Sequence, residues 1–216
     1  MSVIFGSAGL AKEVDWILHE IHQAGGSKEL LASCFIGKDN VGETINNKPV
    51  ISEEDFMNSL GNSQMVQALI AVGSPELKKK IFEKIKQYSQ IIFPTLVFPT
   101  AKFDTREENV IIGQGSIICP GSTITTHIKI GAHVLVYLNC TIGHDTTIGD
   151  FCTVSPGVNV SGNVTMGNGV FVGTGAVILE RLNICDNAII GAGAVVTKSI
   201  LEPGVYVGVP ARKLNK

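Results

Sequence analysis

Three histidines fall close together in the chain, His127, His133 and His144, and the last is followed at once by a carboxylate, Asp145. Imidazole carries protons near neutral pH and is also the commonest metal ligand. A metal site would need the three rings to converge on one ion. A second group of interest lies near the start, where Gly6-Ser7-Ala8-Gly9-Leu10-Ala11 follows an apolar run. Such a turn before a helix leaves N–H groups facing outward, where phosphate commonly binds. The dinucleotide fingerprint needs three glycines, and Ala8 and Ala11 occupy two of those places.

What the histidines can do depends on the element that holds them. From Ile112 to Val196 an aliphatic residue falls on every sixth position without a break: Ile118, Ile124, Ile130, Val136, Ile142, Ile148 and so on. Helices repeat at three and four and simple strands at two, so neither explains the series. It fits a β-solenoid of short strands and tight turns, the hexapeptide repeat. The position four later is mostly small or β-branched (Ser116, Ser122, Cys140, Thr146, Cys152, Ala176, Ala188), and packs beneath the next coil. Gly, Asn and Asp between them suit the corners. Three hexads close one triangular coil, so residues eighteen apart stack about 4.8 Å from each other. His144 then shares a corner column with Thr126, Gly162, Glu180 and Lys198, and Asp145 shares the adjacent one with His127, Asn163 and Arg181. His133 falls in a different column, as a surface corner or an interface residue. The three histidines share no face, and no metal is expected.

Length and composition bound the rest. At 216 residues the chain holds one large domain or two small ones. A net charge of −2 with no basic run argues against nucleic acid. The start lacks the basic segment and apolar stretch of a signal peptide, and no apolar run is long enough to span a bilayer, so a cytoplasmic location is expected. Five cysteines without a CxxC read as buried thiols.

The first ninety residues read as α/β. Residues 2–5 make a strand, and Val14, Ile17, Leu18 and Ile21 recur at helical spacing after the glycine turn. Further strands are expected at 30–36, 66–72 and 91–93, with Ser52 capping one helix and Pro75 opening another whose inner face is Leu77, Ile81, Ile85 and Tyr88. Strand ends at Gly9, Gly37 and Gly73 share one edge of such a sheet, where a ligand would lie. Residues 94–102 read as the connection into the solenoid. The expected division is a Rossmann-like α/β domain at 1–96 and a left-handed parallel β-helix at 97–216, its last residues sealing the open coil.

The stretch Asn139-Cys140-Thr141-Ile142-Gly143-His144-Asp145, with Ser155-Pro156-Gly157, Ser161-Gly162, Ile190-Gly191-Ala192-Gly193-Ala194 and Val207-Gly208-Val209-Pro210-Ala211-Arg212, closely resembles the PglD/NeuD sugar acetyltransferases. The resemblance covers the whole chain and is most specific in the solenoid. It implies a homotrimer with acetyl-coenzyme A between neighbouring subunits. It also implies a nucleotide-linked amino sugar, usually a UDP-linked 4-amino-4,6-dideoxy sugar, for bacterial surface glycan or glycoprotein synthesis. By this resemblance His144 is the general base and Asp145 its acidic neighbour. The chemistry asks for such a pair, because an amine or hydroxyl must lose a proton as it attacks a thioester. Gly162 matches a position whose backbone lines the acetyl-coenzyme A site and whose N–H is a candidate oxyanion donor. Thr153, Thr174 and Ala192 match other coenzyme-contacting positions. Gly9, Leu10, Ala11, Gly37, Lys38 and Gly73 fall where the family holds the nucleotide sugar.

Three departures stand out. Gly37-Lys38 replaces an acidic pair that would contact the nucleoside, Leu10 replaces a histidine beside the sugar, and Tyr137 stands where some members carry Asn. Three alternatives follow. A NeuD-type enzyme would O-acetylate sialic acid, a γ-class carbonic anhydrase would use the same solenoid around zinc, and a scaffold would bind ligand without turnover.

Overall fold

The computed structural model describes residues 1–60, 65–106 and 108–214. Two compact units emerge, Met1–Gly73 with Leu77–Pro94 and Thr95–Lys216 with Ser74–Glu76.

The strands of the first unit are β1 (Ser2–Phe5), β2 (Ala32–Ile36), β3 (Thr44–Ile45), β4 (Lys48–Ile51), β5 (Val66–Ile70) and β6 (Ile91–Ile92), and its helices are α1 (Gly9–Gln23), α2 (Glu53–Ser59) and α3 (Pro75–Ile85). The sheet runs β3-β4-β2-β1-β5-β6. Every residue of β1 is buried, which explains a strand with no polar–apolar alternation: both of its faces are covered. It pairs in parallel with β2 and β5, so the ends of β1, β2 and β5 open on one edge. Ala11, Val14, Ile17 and Leu18 form the buried stripe of α1. Ser52 caps α2 as its position predicts, its Oγ accepting the Asp55 N–H at 3.0 Å.

Several details differ from expectation. Residues 28–30 form a 3₁₀ turn that Ser27 caps, so the second strand starts at Ala32. The hairpin of β3 and β4 escapes a hydrophobic-pattern reading because both strands are short. Its signal is Asn46-Asn47, whose φ values of 48° and 61° make the two-residue turn. The hairpin is pinned to α1 by buried Asp15, which takes Lys48 Nζ at 2.7 Å and the Asn46 amide at 3.0 Å. In α3, Leu77 is 43% exposed, and it is Lys78 and Ile85 that are buried.

The second unit is a β-helix of three parallel sheets. Through the middle of this unit each strand pairs with the one eighteen residues later, as in Ile117–Leu135–Thr153–Phe171–Ile189. The inward aliphatics from Ile118 to Val196 are buried and stack into one core, with Cys140, Cys152, Val158, Val164, Ala176, Ala188 and Ala194 beneath them. Every sixth residue from Gly115 to Gly193 has a positive φ, including His127, Asp145, Asn163 and Arg181. Each corner therefore turns through one left-handed residue.

The solenoid starts earlier than its periodicity. Strands Leu96–Val97 and Lys102–Phe103 already belong to the first coil and lie within the segment expected to be a connection. They pair with residues 21 later, Val97 with Ile118 and Phe103 with Ile124, whereas Ile112 pairs with Ile130 at eighteen. Three extra residues between Phe103 and Val110 hide this coil from a period-six search. At the other end Val205–Val207 pairs with Ile189–Ile190, and Arg212–Lys213 folds back antiparallel on it, closing the last coil.

Candidate active site

His144 and Asp145 form the corner between strands Thr141–Ile142 and Thr147–Ile148. Backbone bonds lock the corner into its column: Asp145 N–H donates to Thr126 O at 3.1 Å, and Asn163 N–H to His144 O at 2.7 Å. With φ at +59°, Asp145 occupies the left-handed position, which an Asp tolerates. Its Oδ2 lies 2.7 Å from His144 Nδ1. An ionised carboxylate can only accept, so Nδ1 donates, and in the neutral ring Nε2 keeps its lone pair. The two side chains are 65% and 54% exposed. Gly162 sits one rung above, and an added Cβ there would lie 2.6 Å from Nε2. Among the described residues no chain acceptor takes the Gly162 N–H.

The base of this corner is built by a cluster that sequence reasoning missed. Asp104, in the loop that carries the three extra residues, accepts from Arg106 Nε at 2.9 Å, Asn109 Nδ2 at 2.9 Å and Thr126 Oγ1 at 2.7 Å. The Arg106 guanidinium and the Thr126 hydroxyl hold its carboxyl well below the usual carboxylate range. Thr126 lies directly beneath His144, so this loop fixes the rung on which the corner rests.

The other solenoid residues expected at the site are not beside His144. Thr174 and Ala192 are exposed and stack on each other, Gly193 N–H donating to Thr174 O at 2.8 Å, but they belong to a different corner of the triangle, in the column of Pro156. Thr153 lies on a sheet rather than a corner and is only 3% exposed. His127 is exposed beneath Asp145, whose carboxylate is engaged by His144. His133 is no surface residue: it is 1% exposed, with its ring stacked on Phe151 at 5.3 Å and filling the space above Gly115. Among the described residues no cluster of three metal-ligating side chains occurs.

A second feature belongs to the α/β unit. A cavity of about 350 Å³ opens at the ends of β1, β2 and β5, walled by Gly6, Ser7 and Ala8, by Gly37, Lys38 and Asp39, and by Leu77, Lys80, Ile81 and Lys84 of α3. Of the residues expected there, Gly37 and Lys38 line it. Gly9, Leu10 and Gly73 are not in its wall, and Ala11 is fully buried under Gly6 in the α1 stripe. Gly37 has no room for a side chain, since a Cβ would lie 2.6 Å from Ser7 Oγ. Glu53 also lines the cavity and pairs with Lys84 at 2.9 Å. The cavity-facing residues of α3, Leu77, Lys80, Ile81 and Lys84, follow the spacing of one helix face. Reading Leu77 and Ile81 as core concealed that this face looks onto a cavity.

The family description "Bacterial transferase hexapeptide (six repeats)" matches residues 163–198. No curated protein matches the sequence. Solved structures similar over the whole chain include WeeI from Acinetobacter baumannii AYE, at 30% identity and a TM-score of 0.83, with 99% of each chain covered. The acetyltransferase domain of PglB from Neisseria gonorrhoeae FA1090, in complex with acetyl coenzyme A, is 26% identical at a TM-score of 0.85, over 99% of this chain and 98% of that one. A His-to-Asn variant of perosamine N-acetyltransferase from Caulobacter crescentus, in complex with CoA and GDP-perosamine, shares the fold at 22% identity and a TM-score of 0.88, over 100% of this chain and 97% of that one. By its repeats, its two-unit architecture and its full-length likeness to these proteins, the chain belongs to the hexapeptide-repeat sugar acetyltransferases of the PglD/NeuD type.

Proposed function

We propose that the chain transfers the acetyl group of acetyl-coenzyme A to the amine of a nucleotide-linked amino sugar, of the 4-amino-4,6-dideoxy class. The observation that carries this reading is the 2.7 Å bond from His144 Nδ1 to Asp145, which leaves Nε2 as a base. In the reaction the sugar amine attacks the thioester carbonyl and Nε2 takes the proton it sheds. The carbonyl oxygen becomes an oxyanion, a charge that the Gly162 N–H, which makes no hydrogen bond to the described residues, suits as donor. As the intermediate collapses, the C–S bond breaks and the imidazolium returns its proton to the departing thiolate. Asp145 stabilises the imidazolium between the two transfers.

Thr174 and Ala192, at a different corner from His144, suit a coenzyme lying in a cleft between two copies, one offering each corner. The open His144–Asp145 pair suits the same arrangement, since packing by a neighbour would exclude water from it. Three copies give three equivalent clefts. Thr153 fits this role least, because little of it is exposed. In the α/β unit the cavity suits the nucleotide: Lys38, Lys80 and Lys84 offer charge to a diphosphate, and Leu77 and Ile81 offer an apolar wall to a base.

The test is acetyl transfer from acetyl-coenzyme A to a panel of UDP-, dTDP- and GDP-linked 4-amino sugars, read by thiol release and by product mass. Turnover of at least one is expected. Release of thiol with none of them, alongside O-acetylation of sialic acid, would overturn the choice of an amine acceptor.

A further inference from the structure

Gly162 is the single glycine at its corner position. The equivalent positions on the other hexads from 114 to 198 carry Gln, Pro, Thr, Ala, Leu, His, Asp, Asn, Glu or Lys. In its own column the neighbours are Thr126, His144, Glu180 and Lys198. The corner itself therefore accepts a side chain. Nor does the backbone at Gly162 require glycine, since its φ lies outside the left-handed range that Gly157 and Gly169 adopt in neighbouring turns. Elsewhere in the solenoid, glycines such as Gly143, Gly149 and Gly173 are closed in by backbone of the following rung, so they serve the stacking of coils. At Gly162 the obstacle is a side chain of the rung below. An ideal Cβ would meet His144 at Nε2 (2.6 Å), Cε1 (2.7 Å) and Cδ2 (3.0 Å).

We propose that Gly162 is a positioning residue, whose missing side chain is the seat of the His144 imidazole. This rests on the reading of His144 as the base and adds to whatever the Gly162 N–H does. With the seat empty the ring lies against the Gly162 backbone, where Nδ1 meets Asp145 at 2.7 Å. A methyl group there must displace the ring by a large fraction of an ångström. Either the bond to Asp145 or the aim of Nε2 is then lost, and displacements of this size cost about 10²-fold in rate.

A cycle of four proteins tests this: wild type, Gly162→Ala, His144→Ala and the double variant, each measured for turnover, acetyl-coenzyme A affinity by calorimetry, and melting temperature. Turnover of Gly162→Ala is expected to fall about 10²-fold with coenzyme affinity unchanged. In the His144→Ala background the same substitution is expected to have no further effect, because the ring it would displace is gone. Wild-type turnover in Gly162→Ala would overturn the proposal. So would a loss of coenzyme affinity that persists in the double variant, which would mark the site as coenzyme clearance. Should Gly162→Ala alone fail to fold, stability restored by adding His144→Ala supports the seat, and stability not restored contradicts it. Absence of acetyl transfer in the wild type would instead strike the functional reading, and the coupling of melting temperatures between the two positions would still decide the seat.

Discussion

Asp145 reaches Nδ1 of its own neighbour, His144, because the chain turns left-handed at Asp145. A φ of +59° at the second corner residue brings its carboxylate back to 2.7 Å from the imidazole of the first. Adjacent residues on a strand point to opposite faces, so the pairing is a product of the solenoid corner. Asp145→Asn keeps a residue that tolerates this backbone while removing the charge. Turnover should fall about 10- to 100-fold, as when histidines at metal sites lose a supporting carboxylate, with melting temperature nearly unchanged. Full activity in Asp145→Asn would show that the carboxylate gives no support.

Lys80→Met and Lys84→Met should each weaken binding of a nucleoside diphosphate about tenfold or more, the scale of one charge-assisted hydrogen bond. The loss should shrink at high salt if charge is the cause. Calorimetry with UDP and GDP on the intact chain measures both. Unchanged affinities would mean that the α3 face of the cavity is not where the diphosphate lies.

Burial raises the Cys140 thiol to about 11. Its folded form holds the proton that the unfolded form gives up near 9. The contribution to stability is therefore whole below pH 9 and is lost as pH rises toward 11. Melting temperature between pH 9 and 11 should fall less steeply in Cys140→Ala than in wild type. Equal slopes would mean that the thiol does not report on folding.

The solenoid was legible because its core repeats in sequence: a buried aliphatic every six residues leaves no other regular structure. Where the spacing changes, legibility stops. The first coil was lost to three inserted residues, and with it the Asp104 cluster beneath the His144 column. His133 was misjudged for a related reason. Corner position implies exposure, and only coordinates reveal that Phe151 one rung up and Gly115 one rung down enclose its ring. In the α/β unit the strand ends were placed by glycines, but α3 carries Leu77 toward a cavity that no periodicity distinguishes from a core. Gly162 stands out in the sequence for its backbone, while the His144 ring beside it is visible only in three dimensions.

If the site is completed by a second copy, sedimentation at micromolar concentration should give the mass of three chains. A monomer with full activity would remove the role assigned to Thr174 and Ala192 in a shared cleft.

The most direct test is turnover of His144→Ala on an acceptor that the wild type acetylates, with affinities for both substrates measured alongside. Loss of the base should lower turnover by about 10²- to 10⁴-fold while both substrates still bind. Turnover near that of wild type would mean that the proton leaves by another route, and that the 2.7 Å pairing of His144 with Asp145 is a feature of the corner and not of the chemistry.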